Sequence, residues 1–169
     1  MEMLQVGGVV RESIVDGPGI RMTVFVQGCS HGCEGCHNQE LQPVGGGKPV
    51  TVAEVLASAR NNPLLDGITI SGGEPFQQAE GCAALAAAAR AEGYHIMTYS
   101  GYTFEALLAG IDTIPGWRGL LTASDLLVDG PYLAAQRDLR LPFRGSRNQR
   151  ILDVAASLRA GRAVEAVFG

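Results

Sequence analysis

The chain has 169 residues, 46% of them hydrophobic and 18% charged, and carries a formal net charge of −4. This length can bury a core and points to one domain over residues 1–169; the composition excludes a disordered chain, and the acidic total argues against charge-driven binding to nucleic acid. No stretch approaches the ~20 apolar residues of a membrane span, and the opening MEMLQVGGVVRES lacks a signal peptide's basic region and apolar run, so a cytoplasmic protein with no membrane partner is expected, in a compartment where thiols stay reduced and clustered cysteines read as metal-binding or catalytic.

Residues 20–28, IRMTVFVQG, are β-branched and aromatic and stop at Gly28, which predicts a strand running into a cysteine loop. Residues 42–49, QPVGGGKP, read as a loop by their glycine and proline content. A helix is predicted over 51–60, where Thr51 and Glu54 make a capping box and Val52, Val55, Leu56 and Ala59 share one face. GITISGGEP (67–75) is a short apolar strand ending in a glycine turn, and 77–93 is an alanine-rich helix stopped by Gly93. HIMTYSG (95–101) is the next strand, Thr103 caps a helix with Phe104, Leu107, Leu108 and Ile111 on one face, and DLLVDGPY (125–132) is a fourth strand.

Strands alternating with helices define an α/β fold with parallel strands. A closed eight-stranded barrel takes ~200 residues or more, so the fold expected here is a partial, incomplete parallel β/α barrel. Chemistry in such folds sits beyond the carboxyl ends of the strands. Those ends carry Cys29, Ser71-Gly72-Gly73-Glu74, Thr98-Tyr99-Ser100-Gly101 and Asp129-Gly130, at one rim.

Cys29, Cys33 and Cys36 follow the spacing C-x3-C-x2-C, and Cys82 is the only other cysteine. A structural zinc site closes with four ligands. His37 adjoins Cys36, where two consecutive residues rarely reach one metal, and Cys82 lies in the alanine-rich helix and reads as a small buried hydrophobe. Three thiolates can instead hold three irons of a [4Fe–4S] cluster and leave the fourth iron open.

That spacing resembles the radical S-adenosylmethionine superfamily. DGPGIR (16–21), SGGEP (71–75) and LPFRGSRNQRILDV (141–154) narrow the resemblance to glycyl-radical-enzyme activases. TYSGYTFEAL, LLVDGPYL and FRGSRNQR are most similar to the activases of anaerobic ribonucleotide reductase, and the resemblance covers nearly the whole chain. It implies that Cys29, Cys33 and Cys36 bind the cluster and are catalytic through it, and that S-adenosyl-L-methionine chelates the open iron. It also implies electron entry into the sulfonium, C–S cleavage to a 5′-deoxyadenosyl radical, and abstraction of a glycine Cα hydrogen on a partner. The implied partners are the large subunit of anaerobic ribonucleotide reductase and an electron donor such as flavodoxin or ferredoxin. Gly72, Gly73 and Glu74 match the family position at the amino end of the cofactor. Gly35, Cys36 and His37 match the position along the adenine, and Thr98, Ser100 and Asp129 match strand-end positions near the ribose and methionyl group.

Other readings stand beside these. Gly72 and Gly73 can serve only to make a tight turn, and Asp129 can be a capping carboxylate. Asp16-Gly17-Pro18-Gly19 is a turn by composition, which the resemblance places near the incoming glycyl loop. His31 reads as a loop residue at the cluster's edge and His95 as strand packing or surface. Arg137, Arg140, Arg144, Arg147 and Arg150 form either a solvated face or a strip that docks a partner. Competing functions are activation of another glycyl radical enzyme, such as pyruvate formate-lyase, and a non-catalytic zinc or iron–sulfur module.

Overall fold

A computed structural model describes residues 2–33, 35–36, 39–43 and 46–167. Seven strands form one sheet in the order β3-β1-β2-β4-β5-β6-β7. They are β1 (Met3–Ser13), β2 (Arg21–Val26), β3 (Lys48–Thr51), β4 (Gly67–Gly72), β5 (His95–Tyr99), β6 (Leu126–Asp129) and β7 (Arg150–Asp153). The helices are α1 (Val52–Arg60), α2 (Ala79–Ala91), α3 (Phe104–Gly110), α4 (Trp117–Ala123) and α5 (Val154–Ala160).

The four strands expected from the sequence, β2, β4, β5 and β6, pair in parallel at the centre. The flanks are antiparallel: β1 pairs with β2 and β3, and β7 with β6. The stretch expected to be a loop over 42–49 ends instead in strand β3, which takes the outer edge. Its Pro49 is tolerated there because an edge strand has one side with no ladder to fill.

Strand alternation divides the sheet into two unlike faces. Val24, Val26, Ile68, Ile70, Ile96 and Leu127 pack with the buried residues of α1, α2 and α4 into the main core. Thr51 caps α1, accepting from the Glu54 amide at 3.0 Å, and Val55, Leu56 and Ala59 are its buried stripe. Cys82 lies fully buried in α2, and burial drives its thiol pKa far above the usual range. The alternate residues of β2, β4 and β5 face the other way: Arg21, Thr23, Thr69, Ser71, Met97 and Tyr99, joined by Leu126 and Val128 of β6. That face is unusually polar for the inside of a fold, and its upper end is where the glycine-rich strand ends meet.

Arg21, from the DGPGIR segment, is fully buried on this face. Its guanidinium donates to Thr69 Oγ1 (2.7 Å), Pro18 O (2.8 Å), Ile68 O (3.1 Å) and His95 O (3.0 Å). Burial lowers its pKa to about 10. With every contact to neutral oxygen, the arginine acts as a cross-brace that ties β2, β4, β5 and the 16–19 turn together at the amino end of the strands.

Candidate active site

The cysteine loop starts where β2 stops. Gly28 N donates to Leu41 O (2.6 Å) and Cys29 N to Gln42 O (2.9 Å), so residues 41–42 brace the start of the loop. Cys29, Cys33 and Cys36 are not joined in disulfides and are half-buried. All three line one cleft with Ser71, Gly72, Gly73, Glu74, Ser100, Gly101 and Gly130, closed further by His31, Gln42, Tyr99, Tyr132 and Gln149. The cleft encloses about 600 Å³ of space free of protein atoms, part of it open to solvent. Burial pushes the Cys29 thiol pKa up, and the nearby Glu74 carboxylate adds to the rise.

Among the described residues, no group of three His, Cys, Asp or Glu side chains is arranged to hold a single metal ion. The three thiols sit around a space much larger than an ion, walled by glycines that leave it clear. A donor set of three thiols, with Cys82 sealed inside α2, fits a cluster whose fourth iron is left to a small molecule. His37 lies outside the described residues.

The two glycines ending β4 are constrained by the β2 backbone. Gly72 has φ +103°, and a Cβ on it would stand 2.5 Å from Val26 N. A Cβ on Gly73 would stand 2.4 Å from Gly28 O. Both also line the cleft, so close backbone packing and an open wall are served by the same residues.

Glu74 borders the cleft, but its carboxylate is taken up by protein groups. It is fully buried, and its carboxylate accepts from His31 Nε2 (2.6 Å), Gly101 N (2.7 Å), Phe76 N (3.0 Å) and Ser100 Oγ (2.9 Å). Ser100 therefore lines the cleft and bonds to Glu74 together. Gly35 is exposed at the rim, with its open side towards Ala134 and Tyr132.

Two residues expected at the cofactor stand elsewhere. Thr98 is fully buried on the helical face, where its hydroxyl shares a 2.7 Å hydrogen bond with Ser124 of the α4 C-cap. Alternation gives the cleft Tyr99 instead. Asp129 is buried and paired with Arg150 (Nε to Oδ1 3.0 Å, Nη2 to Oδ2 2.5 Å), and it accepts from Phe104 N at 2.7 Å. It caps α3, which was its plainer reading, and the next residue, Gly130, reaches the cleft.

The five arginines do not act as one strip. Arg150 serves Asp129 and Glu105, and Arg140 pairs with Asp138. Arg137 and Arg147 are exposed. Arg144 is half-buried; it donates to Gln149 O (3.2 Å), while its buried Nε has no hydrogen-bond partner. It lines a hollow that adjoins the cleft and shares Cys36, Ser71, Tyr99, Tyr132 and Gln149 with it. Asp16 lines this hollow too, with its carboxylate on Ser13 and Thr23.

Sequence reasoning placed Ser71 and Tyr99 at the rim and His31 at the cluster's edge without assigning them a site role, and it missed Tyr132 and Gln149. For Ser71 and Tyr99 a signal existed in strand alternation: Ser71 is two residues from Thr69 and Tyr99 two from Met97, so each shares the cleft-side face of its strand. Tyr132 and Gln149 lie on irregular chain, and their arrival depends on a tertiary bond, Gln149 Nε2 to Gly130 O at 3.1 Å.

A parallel-strand sheet with three cysteine thiols and a glycine wall at its carboxyl rim is an arrangement suited to an iron–sulfur protein. Residues 15–152 match the family model described as a 4Fe-4S single cluster domain. The chain is 35% identical over 146 residues to the anaerobic ribonucleoside-triphosphate reductase-activating protein of Vibrio cholerae, covering 82% of this chain and 90% of that one. It is 35% identical over 148 residues to the protein of that name from Escherichia coli K12, covering 80% and 90%, and 34% identical over 143 residues to that of Enterobacteria phage T4, covering 81% and 86%. The chain belongs to the family of anaerobic ribonucleoside-triphosphate reductase-activating proteins. Among solved structures, QueE from Escherichia coli aligns with 60% of this chain and 53% of its own at 15% identity, with a TM-score of 0.48.

Proposed function

We propose that this chain is a radical S-adenosylmethionine activase that installs a glycyl radical on the large subunit of anaerobic ribonucleotide reductase. Cys29, Cys33 and Cys36 would hold one [4Fe–4S] cluster, and the cleft beside them would hold S-adenosyl-L-methionine. When bound, the cluster would supply the one electron that cleaves S-adenosylmethionine reductively to methionine, and the adenosyl fragment would take the glycine hydrogen and leave as 5′-deoxyadenosine.

The chain's own residues bind, orient and shield. The wall at Gly72, Gly73, Gly101 and Gly130 carries no side chain, so the cofactor can lie against backbone. Ser71, Ser100 and Gln149 add polar groups along its length, and Tyr99 and Tyr132 close one side. The substrate hydrogen comes from glycine because no side chain blocks approach and flanking amides delocalise the radical. The adjoining hollow, bounded by Asp16, Phe143 and Arg144, is the entry proposed for that loop. In this reading the four parallel strands make up the partial β/α barrel, within one domain. The reaction takes place in the cytoplasm, with an electron donor such as flavodoxin or ferredoxin.

The observation that carries the reading is the meeting of three cysteine thiols and a glycine-walled rim in one cleft. The test is anaerobic reconstitution, then incubation with the reductase large subunit, S-adenosylmethionine and dithionite. A glycyl radical doublet by electron paramagnetic resonance is expected, and it should vanish in Cys33→Ala. Uptake of stoichiometric zinc without iron would overturn the reading.

A further inference from the structure

We infer that Glu74, Gln77 and Gln78, the side chains following the β4 glycines, form a clamp that presets the cysteine loop, with His31 as its central tooth. The inference rests on the proposal that Cys29, Cys33 and Cys36 hold the cluster. It concerns positioning residues and assigns them no contact with cofactor or substrate.

Three side chains of one short segment reach the chain on either side of Cys29. Gln78 Nε2 donates to Gln27 O at 2.7 Å. Gln77 accepts from Ser30 N at 3.1 Å and donates to Ser30 Oγ at 2.5 Å. Glu74 accepts from His31 Nε2 at 2.6 Å, and the Glu74 amide donates to Gly28 O at 2.8 Å. From Gln27 to His31, every residue except Cys29 itself is bonded to the segment 74–78.

His31 is held on its other sides as well. Its ring meets Tyr102 edge-on at 4.6 Å between centroids. A Cβ on Gly101 would stand 2.7 Å from the ring's Cδ2, so the glycine makes the seat. Glu74 in turn is locked by Ser100 Oγ and by the amides of Gly101 and Phe76. Because carboxylate oxygens only accept, the bond fixes the ring's proton on Nε2. A short, partly buried hydrogen-bond chain thus runs from the residues after β5, through Glu74, to the middle of the x3 segment between Cys29 and Cys33.

Ordering a loop costs backbone entropy for every residue that is fixed. A loop already fixed when the cluster arrives avoids that cost for the Cys29 side. Partners one step out from metal ligands commonly affect retention in this way, and their loss costs about 10–100-fold in metal affinity.

The test compares wild type, His31→Leu, His31→Gln and Gln77→Ala after anaerobic reconstitution. It measures iron and sulfide content, the rate at which cluster absorbance is lost to an added iron chelator, and thermal unfolding of the cluster-free protein. His31→Leu removes the donor and should lose its cluster about tenfold faster or more. His31→Gln keeps an N–H donor at similar reach and should recover most of that loss. Gln77→Ala, at an exposed position, should also speed loss while leaving cluster-free unfolding unchanged. If His31→Leu unfolds early, Gln77→Ala decides: faster loss supports the clamp and an unchanged rate overturns it. Equal retention in wild type and both His31 variants would overturn it too. Failure of the wild type to take up iron would instead overturn the cluster assignment, and the clamp with it.

Discussion

Gly73 sits so close to the start of the cysteine loop that a Cβ on it would lie 2.4 Å from the carbonyl oxygen of Gly28, one residue before Cys29. Its amide already donates to Val26 O at 2.7 Å, so the turn cannot slide away. The sequence suggests Gly73 as a place where the cofactor approaches backbone. The structure makes it first a place where two strand ends touch. Gly73→Val should therefore disturb the cysteine loop as well as S-adenosylmethionine binding. Forcing bulk into a packed site costs about 1–3 kcal/mol, and iron content after reconstitution should fall with cluster-free stability. Full iron loading with only cofactor binding impaired would show that the loop yields without harm.

A second prediction separates neighbours on β5. Thr98→Val removes a hydroxyl bonded to Ser124 on the helical face, worth about 1 kcal/mol of stability. It should leave S-adenosylmethionine binding unchanged. Tyr99→Phe removes the 2.6 Å bond from the phenol to Phe143 O, which holds the 139–149 segment over the hollow. It should weaken cofactor binding and raise the protease sensitivity of that segment. Equilibrium binding to the reconstituted variants and limited proteolysis check both halves.

These two residues show how much was legible. The central strands β2, β4, β5 and β6 and the helices α1, α2 and α3 could be read because each has a local signal: alternation or a β-branched run, a cap, a stopping glycine. The rim could be read because parallel strands put their carboxyl ends on one side. Which strand-end residue faces the cleft depends on register to a single residue. Thr98 and Asp129 were each one position from the cleft-facing residue. The strands β1, β3 and β7 carry no such pattern, since they are fixed by edges that only the assembled sheet provides. His31 had no sequence mark of its own, because its meaning lies in Glu74, 43 residues away.

A third prediction concerns the buried end of the arginine segment. Asp129 is almost wholly buried and its main partner is Arg150, which keeps part of its surface in water. Arg150→Met leaves a buried carboxylate facing only the Phe104 amide. Breaking a buried pair from one side costs ~3–5 kcal/mol, and partial exposure of Arg150 puts the expected loss at about 2–3 kcal/mol. Urea unfolding of the cluster-free protein measures it. A loss below about 0.5 kcal/mol would place the pair with ordinary surface bridges.

The fourth prediction is a pH dependence. His95 has a lowered pKa, chiefly through burial and then through the nearby Arg21 charge, and its Nδ1 is buried without a hydrogen-bond partner. The unfolded chain binds its proton at the ordinary value of 6.5 and the folded chain only below that. Between the folded value and 6.5 the unfolded state carries more protons, so stability rises with pH across that window and falls on acidification. The group contributes no pH dependence well above 6.5. Thermal unfolding of the cluster-free protein should lose stability as pH falls from 7 to 5.5, and His95→Gln should flatten that part of the profile. An unchanged profile would assign the loss to other groups.

The last prediction divides the remaining arginines by exposure. Arg137 and Arg147 are exposed and free to meet a partner, whereas Arg144 is built into the wall of the hollow beside the cleft. Exposed charges act mainly on association rate and register, and salt screens them over ~8 Å at physiological ionic strength. The double variant Arg137→Ala with Arg147→Ala should therefore slow glycyl radical formation on the reductase at low salt. The difference from wild type should shrink as salt rises, and dithionite-driven cleavage of S-adenosylmethionine without the reductase should be unaffected. Arg144→Ala should lower radical formation at every salt concentration, because it removes a guanidinium from the proposed path of the glycyl loop and opens the wall that Gln149 completes. The decisive comparison is the salt dependence of the two variants in the same assay. If the exposed pair shows no effect at low salt, these two charges form a solvated face. If Arg144→Ala shows the same salt-screened loss as the pair, the hollow is an outer docking surface and the glycine enters elsewhere.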